Sequence, residues 1–432
     1  MSDPNRDDPE QALIAAIDAG RCVAFVGAGL SFPAVGGWRD LLLEVAKQSR
    51  DPSIAAVVAE LIDEGTDNVS LEAAAQLLED AEPDGKLGEL VATTIEALCD
   101  RAGAKQDVVR QRVEYLRRIP LSAIVTTNFD RYLPGELPGP AVYRRILRAH
   151  ERGTPRYGSP SQHAQCPVVC LHGSLAAPRS ITMTRRAYRK RLHADPGYRR
   201  FLGTLFSTHT VIFIGFSFTD AYVNELRSEV LTLFGHDDEA SSVVPLPTAF
   251  TVLPNVTDAR RRFLERHEGL RVVSYDTPEG DHGAFDRLLA RLAKHTSPLA
   301  RLARAAQGRR ILWLDPAPEN NRYVTEEVRG IDLVSTVDQA LVRLATCGYD
   351  LVITHLGHGA SPPHASTAEA LLEQMQRPRH GAPVVVFGSH ATEHADANKR
   401  RSLRAGASAY TYSWDALFRE IERILSPGSV SA

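Results

Sequence analysis

Apolar residues in the first two thirds of the chain arrive in two rhythms. Short, nearly unbroken apolar runs recur at RCVAFVGAG (21–29), SAIVTTN (122–128), PVVCLHG (167–173), TVIFIGFS (210–217), AFTVLP (249–254) and LRVVSY (270–275). Their length and β-branched content predict strands buried on both faces. Between them, apolar positions return every three or four residues, which predicts helices over 9–20, over Trp38 to Lys47 and over most of 54–118. In the last stretch, IAAVVAELIDEG, LEAAAQLLED and LGELVATTIEALCD are broken by EPDG at 82–85. A helix over 283–294 closes the series. Strands alternating with helices predict an α/β fold, a mostly parallel Rossmann-like sheet covered on both faces.

The rhythm then pauses and restarts. HTSPLARLARAAQGRR (295–310) reads as a linker or a linking helix. Strand-like runs follow at 309–315, 349–357 and 382–389 and in ASAYTYS, with helical spacing over 336–348, 366–377, 394–405 and 414–425. About five strand–helix units in this space predict a smaller, doubly wound, flavodoxin-like domain. The expected organisation is a nucleotide-binding domain over 1–297 with a helical insert at about 51–118, a linker at 298–308, and a second domain over 309–432.

Composition narrows the setting. The chain has 432 residues, 43% apolar and 24% charged, with a net charge of −3, so nothing global draws it to nucleic acid or to an acidic membrane. No apolar run approaches the roughly 20 residues of a membrane span. The opening MSDPNRDDPEQ is polar and acidic, unlike a secretory signal. Five scattered cysteines point to reduced thiols and a cytoplasmic location. Cys166 and Cys170 form one C-x3-C pair with no second knuckle, so they are expected as small core residues and no metal is expected. RRAYRKRLHADPGYRR (185–200) and YRRILRAHERGTPR (143–156) are basic with interleaved tyrosines. Both are expected to be solvated helix faces. His163, His209 and His282 lack metal-ligand spacing.

Chemistry-bearing residues gather at the ends of four predicted strands, where open α/β sheets bind ligands. After the first, Gly27, Ala28, Gly29 and Ser31 form a glycine turn placed before a helix, suited to close approach by a pyrophosphate. After the second come Thr127, Asn128 and Asp130. Asn128 is suited to orient a water or a ribose hydroxyl, and Asp130 reads equally well as a helix N-cap. After the third, His172 precedes Gly173 and is a candidate base or hydroxyl partner near neutral pH. After the fourth come Gly215 and Ser217. The nucleophile elbow of hydrolases requires glycine two residues beyond the serine, and Thr219 stands there, so a serine nucleophile is disfavoured.

GAGLS, TTNFD, LHGS and GFSFTD in this order resemble the sirtuin superfamily over about residues 10–295, most closely its divergent bacterial branch found in antiphage defence and NAD depletion. ITMTRRAYRK (181–190) resembles the T-x-x-x-Y segment of that branch. The resemblance implies that Gly27, Ala28, Gly29 and Ser31 cradle the phosphates of NAD, that Asn128 and His172 are the catalytic pair, and that Thr127, Asp130, Gly215 and Ser217 line the nucleotide site. The four-cysteine zinc module of the protein deacetylases is missing, and FPAVGGWRDLL stands where they carry a proline-aspartate-phenylalanine-arginine element. The implied activity is therefore NAD hydrolysis to nicotinamide and ADP-ribose, with a silent NAD or ADP-ribose sensor and an NAD-dependent deacylase as alternatives. A homo-oligomer or a regulating protein partner is expected.

Residues 309–425 resemble a response-regulator receiver domain. His355 stands where that family places the phosphoacceptor aspartate, the acidic turn is reduced to Asp315, and the lysine near the last strand is absent from ASAYTYSW. The resemblance thus implies a pseudo-receiver, in which Asp315 and His355 are expected as ordinary polar loop residues.

Overall fold

The structure is a computed structural model. It describes residues 8–64, 68–82, 85–147, 166–216, 227–228, 249–356, 367–375, 381–388, 395–412 and 414–425. The chain divides into two compact units, the first holding the described residues up to Ala293 and the second those from Lys294 onward.

Six strands build the first unit: Cys22–Val26 (β1), Ala123–Thr126 (β2), Val168–Cys170 (β3), Thr210–Ile214 (β4), Ala249–Pro254 (β5) and Leu270–Tyr275 (β6). All pair in parallel, in the order β3-β2-β1-β4-β5-β6. This is the doubly wound order in which the chain reverses direction between β1 and β4, and the crevice beyond those strand ends is where such sheets take ligands. The helices are Pro9–Asp18 (α1), Trp38–Lys47 (α2), Ile54–Glu64 (α3), Asn68–Ala81 (α4), Leu87–Arg101 (α5), Lys105–Arg118 (α6), Pro140–Leu147 (α7), Arg185–Ala194 (α8), Pro196–Thr208 (α9), Asp258–His267 (α10) and Gly283–His295 (α11).

Alternation along the strands sends side chains to two cores. Ala24, Val26, Ile124, Ile212 and Ile214 pack on one face against Leu13 and Ile17 of α1, Val109, Val113 and Leu116 of α6, and Leu288 and Leu292 of α11. Val23, Phe25, Val125, Val211 and Phe213 pack on the other against Ile146 of α7, Phe201 and Leu205 of α9, and Leu264 of α10. Helices α2 to α5 hold a third core of their own, with Leu42, Val45, Val58, Leu78, Val91 and Ile95 joined by Met183. The helical layer thus begins with α2, while α6 returns to cover the sheet.

In the second unit, Ile311–Leu314 (β7), Ile331–Val334 (β8), Leu351–His355 (β9), Val384–Phe387 (β10) and Ala409–Thr411 (β11) form a parallel sheet ordered β11-β10-β9-β7-β8. Numbered within the unit this is 2-1-3-4-5, the flavodoxin-like order. Its helices are Pro298–Ala305 (α12), Arg322–Glu327 (α13), Val337–Thr346 (α14), Thr367–Met375 (α15), Ala395–Arg404 (α16) and Trp414–Leu425 (α17). Helix α12 occupies the segment read as a linker. Its Leu302, with Ala306, enters the core beside Leu417 and Ile421 of α17, and Arg301 pairs with Glu422 at 2.6 Å.

Candidate functional site

The loops after β1 and β4 meet backbone to backbone. The Gly27 amide donates to the Ile214 carbonyl at 3.0 Å, and the Gly29 amide donates to the Gly215 carbonyl at 2.9 Å. A Cβ on Gly29 would lie 2.7 Å from Gly215 Cα, and one on Gly215 would lie 2.4 Å from the Leu30 nitrogen. Gly215 also has φ +61°, a conformation glycine adopts without strain. These glycines let two loops touch. The amides of Leu30 and Ser31 close a short 3₁₀ turn over Ala28–Leu30 by donating to the Gly27 and Ala28 carbonyls. The helix that follows the glycine turn begins at Trp38, where its spacing predicts it, and Pro33, Gly36 and Gly37 intervene between turn and helix. The dipole argument for an anion at this turn therefore loses its helix.

Behind the turn lies a polar network. Asn128 donates through Nδ2 to the Gly27 carbonyl and to Ser31 Oγ, both at 3.1 Å. Ser31 Oγ, 2% exposed, donates in turn to Asp130 Oδ2 at 2.5 Å. The Tyr132 amide donates to Asp130 Oδ1 at 3.0 Å. Asp130 closes this local turn, and the next helix starts only at Pro140, so Asp130 is not an N-cap. Burial lifts the Asp130 carboxyl above the usual range, against the opposing bonds from Ser31, Tyr132 and Asn128. The Asn128 amide donates to Thr126 Oγ1 at 3.1 Å, and the Thr127 amide donates to the Val26 carbonyl at 3.1 Å, so β1 and β2 hold the group jointly. With Nδ2 engaged twice, Asn128 keeps Oδ1 as an acceptor.

His172 follows β3 and is 4% exposed. Its carbonyl accepts from the Thr182 amide at 2.7 Å, and Gly173 at φ +106° packs so closely that a Cβ would meet the Ser180 carbonyl oxygen at 2.4 Å. Tyr188 on α8 brings its hydroxyl to Nδ1. Burial first, and the nearby Arg191 second, push the imidazole pKa down to about 3, so the ring is neutral near pH 7. That makes it a weak base and a ready hydrogen-bond partner.

One cavity of about 630 Å³ is lined by Gly27, Ala28, Gly29, Ser31, Thr127, Asn128, Asp130, His172 and Gly215 together. This volume lies within the roughly 300–1,000 Å³ of small-molecule sites. Ser217 lies outside the described residues. Sequence reasoning missed much of the wall: Trp38, Arg39 and Glu72 from the helical layer, Phe129 beside Asn128, Arg260 at the start of α10, and Tyr275 and His282 near β6. The departure at FPAVGGWRDLL was the one signal pointing to Trp38 and Arg39. Tyr275 Oη lies 3.2 Å from His282 Nδ1, giving that histidine a local partner. The tyrosines among the basic residues turn inward: Tyr188 and Tyr198 are buried while Arg185, Arg186, Arg189 and Lys190 are exposed. Cys170 packs inside β3 and burial raises its thiol pKa.

At the strand ends of the second unit, Asp315 and His355 are buried, 5% and 6% exposed, and so are not loose loop residues. Asp315 accepts from the Ala317 amide through Oδ1 at 2.8 Å and from Asn321 Nδ2 through Oδ2. His355 sets its ring edge-on to Phe387 at 6.0 Å.

No helix among the described residues is long and apolar enough to cross a membrane. Comparison with curated proteins finds no match. Among solved structures, the receiver domain of the Francisella response regulator 1452 matches at 18% identity, covering 28% of this chain and 98% of that one, with a TM-score of 0.23. A two-component response regulator from Clostridium difficile matches at 18% identity, covering 28% of this chain and 99% of its own, also with a TM-score of 0.23. Residues 122–273, which carry Asn128, Asp130, His172 and Gly215, match the family model of the SIR2-like domain, and that similarity points to NAD as the molecule this part of the chain uses.

Proposed function

We propose that the first unit hydrolyses NAD at the nicotinamide–ribose bond. The observation that carries this is the convergence of Asn128, His172 and the two glycine loops on a single cavity at the β1/β4 reversal. In the proposed reaction the glycosidic bond breaks, its electron pair passes to the ring nitrogen, and neutral nicotinamide leaves. Water oxygen bonds to the ribose carbon and releases one proton, giving ADP-ribose. Asn128 Oδ1 accepts a hydrogen bond from that water. The neutral His172 imidazole accepts one from a ribose hydroxyl, holding the sugar for attack. Positioning of this kind supplies several kcal/mol toward a barrier. Gly27, Ala28, Gly29, Ser31, Thr127, Asp130, Gly215 and Ser217 are proposed to line the dinucleotide.

A cytoplasmic NAD-depleting role in bacterial antiphage defence, held in check by self-assembly or a protein partner, extends this reading through the sirtuin-like resemblance. The second unit is the proposed regulatory part. With His355 at the phosphoacceptor position and both oxygens of Asp315 engaged, it is proposed to respond by contact and not by phosphorylation.

The test is NAD turnover by the full chain against Asn128→Ala, with products separated by chromatography. Nicotinamide and ADP-ribose from wild type alone are expected. Equal turnover by the two would overturn the assignment. A second reading, a silent NAD or ADP-ribose sensor, is favoured by the weak basicity of His172. Saturable NAD binding without turnover, in cells challenged with phage as well as in vitro, would select it.

A further inference from the structure

The proposed hydrolysis releases one proton, and the network behind the glycine turn offers it a path. His172, neutral through burial and with the Tyr188 hydroxyl at its Nδ1, is too weak a base to hold that proton near pH 7. Asp130 stands two residues beyond Asn128 and lines the same cavity. Ser31 joins the two. Asn128 Nδ2 donates to Ser31 Oγ at 3.1 Å. Ser31 Oγ donates to Asp130 Oδ2 at 2.5 Å, the short length of a hydroxyl on an ionised oxygen. A hydroxyl has one proton to give and two lone pairs to fill. Ser31 gives its proton to Asp130 and fills one lone pair from Asn128, which leaves the second for a donor in the cavity that Ser31 also lines.

Resting on the NAD reading above, we propose that Ser31 and Asp130 form a relay that takes the proton of the attacking water. The water gives one hydrogen to Asn128 Oδ1 and the other to Ser31 Oγ. As the water oxygen bonds to the ribose carbon, the second hydrogen passes as a proton to Ser31 Oγ, while the proton of Ser31 passes to Asp130 Oδ2. Ser31 ends as the same neutral hydroxyl. Asp130 ends as a neutral carboxylic acid and returns its proton to solvent once product has left. Burial makes this carboxylate a stronger base than an exposed one. The Tyr132 amide, donating to Oδ1 at 3.0 Å, holds the other oxygen and so fixes the carboxylate plane on which Ser31 acts.

The test is NAD turnover by the full chain carrying Asp130→Asn, Ser31→Ala or both, with and without sodium azide. The azide anion has no proton to lose, so its attack on the ribose needs no acceptor. Each single variant is expected to hydrolyse NAD about 10²–10⁴-fold more slowly than wild type, the usual worth of general base help. Azide is expected to restore nicotinamide release and to yield ADP-ribosyl azide, which reports that the variant is folded and binds NAD. The double variant is expected to stay within about twofold of the slower single one, because the two residues serve one transfer. Hydrolysis by Asp130→Asn within about threefold of wild type overturns the relay. So does a loss that azide leaves unrepaired, which assigns the pair to support of the loop, and so do losses that multiply in the double variant. Each of these leaves the NAD reading standing. No nicotinamide release by wild type, with azide or without, overturns the NAD reading itself.

Discussion

The hydroxyl of Tyr188 lies 3.2 Å from Nδ1 of His172, and the two rings meet edge to face at 5.0 Å. The pairing is prepared locally. Thr184 caps α8 by accepting from the Ala187 amide at 3.2 Å and donates to Glu79 at 3.0 Å, which fixes where the first turn of α8 lies. Tyr188 then falls one turn later, over the end of β3. A neutral imidazole has one protonated nitrogen, and the partner of Nδ1 decides which. When Tyr188 accepts from Nδ1–H, the Nε2 lone pair is the one presented for bonding.

Tyr188→Phe removes that partner and keeps the ring. The expected result is a kcat about tenfold lower, the worth of one hydrogen bond of about 1.4 kcal/mol, with KM changed by less than about twofold. Single-turnover kinetics on NAD checks it. An unchanged kcat would remove Tyr188 from the positioning of His172, and a loss confined to thermal stability would assign it a packing role.

The depressed pKa of His172 has a consequence for stability. Its folded value of about 3 lies below the ordinary 6.5, so below pH 6.5 the unfolded chain takes up a proton that the folded chain refuses. The contribution of this group to stability therefore falls as pH drops from 6.5 toward 3, by about 1.4 kcal/mol per unit. Urea unfolding at pH 7.5 and 5.0 should show wild type losing about 2 kcal/mol more than His172→Gln over that interval. Identical losses would mean that His172 is not held neutral.

Arg112 of α6 is 2% exposed and clamps the glycine-turn loop, donating to the Leu30 carbonyl at 3.3 Å and to the Phe32 carbonyl. Its Nε donates to Asp286, and the guanidinium sits over the Phe285 ring at 5.0 Å. Arg112→Met leaves a carboxylate and two carbonyls without this donor, so a loss of about 3–5 kcal/mol is expected. Arg112→Lys should restore little of it, because one ammonium does not reproduce the guanidinium fork. Thermal melting within about 2 °C of wild type for Arg112→Met would show that the loop holds itself.

Much of this was legible along the chain. Runs such as CVAFV and TVIFI are strands because a parallel sheet covered on both faces requires apolar residues at every position. Trp38–Lys47 is a helix at the bounds its spacing predicts. Placing Asn128 and His172 at strand ends needed no more than strand length. Contacts between distant segments were not legible. Nothing in a three- or four-residue rhythm tells that Arg112 turns inward to the carbonyls of Leu30 and Phe32, or that Glu72 lines the cavity. The glycines illustrate the limit. Their presence signalled a close approach, but Gly29 and Gly215 are close to each other, a fact that belongs to the pairing of β1 with β4.

The helical layer of α2 to α5 enters between the β1 loop and β2, and its core around Val58, Leu78 and Val91 is distinct from both cores of the sheet. Substitutions inside that layer can reshape the entrance and walls of the cavity while the strand register that sets Asn128 and His172 stays as it is. The shape of the cavity and the register of Asn128 and His172 thus rest on separate cores of one unit, and a lineage can alter the one without rebuilding the other.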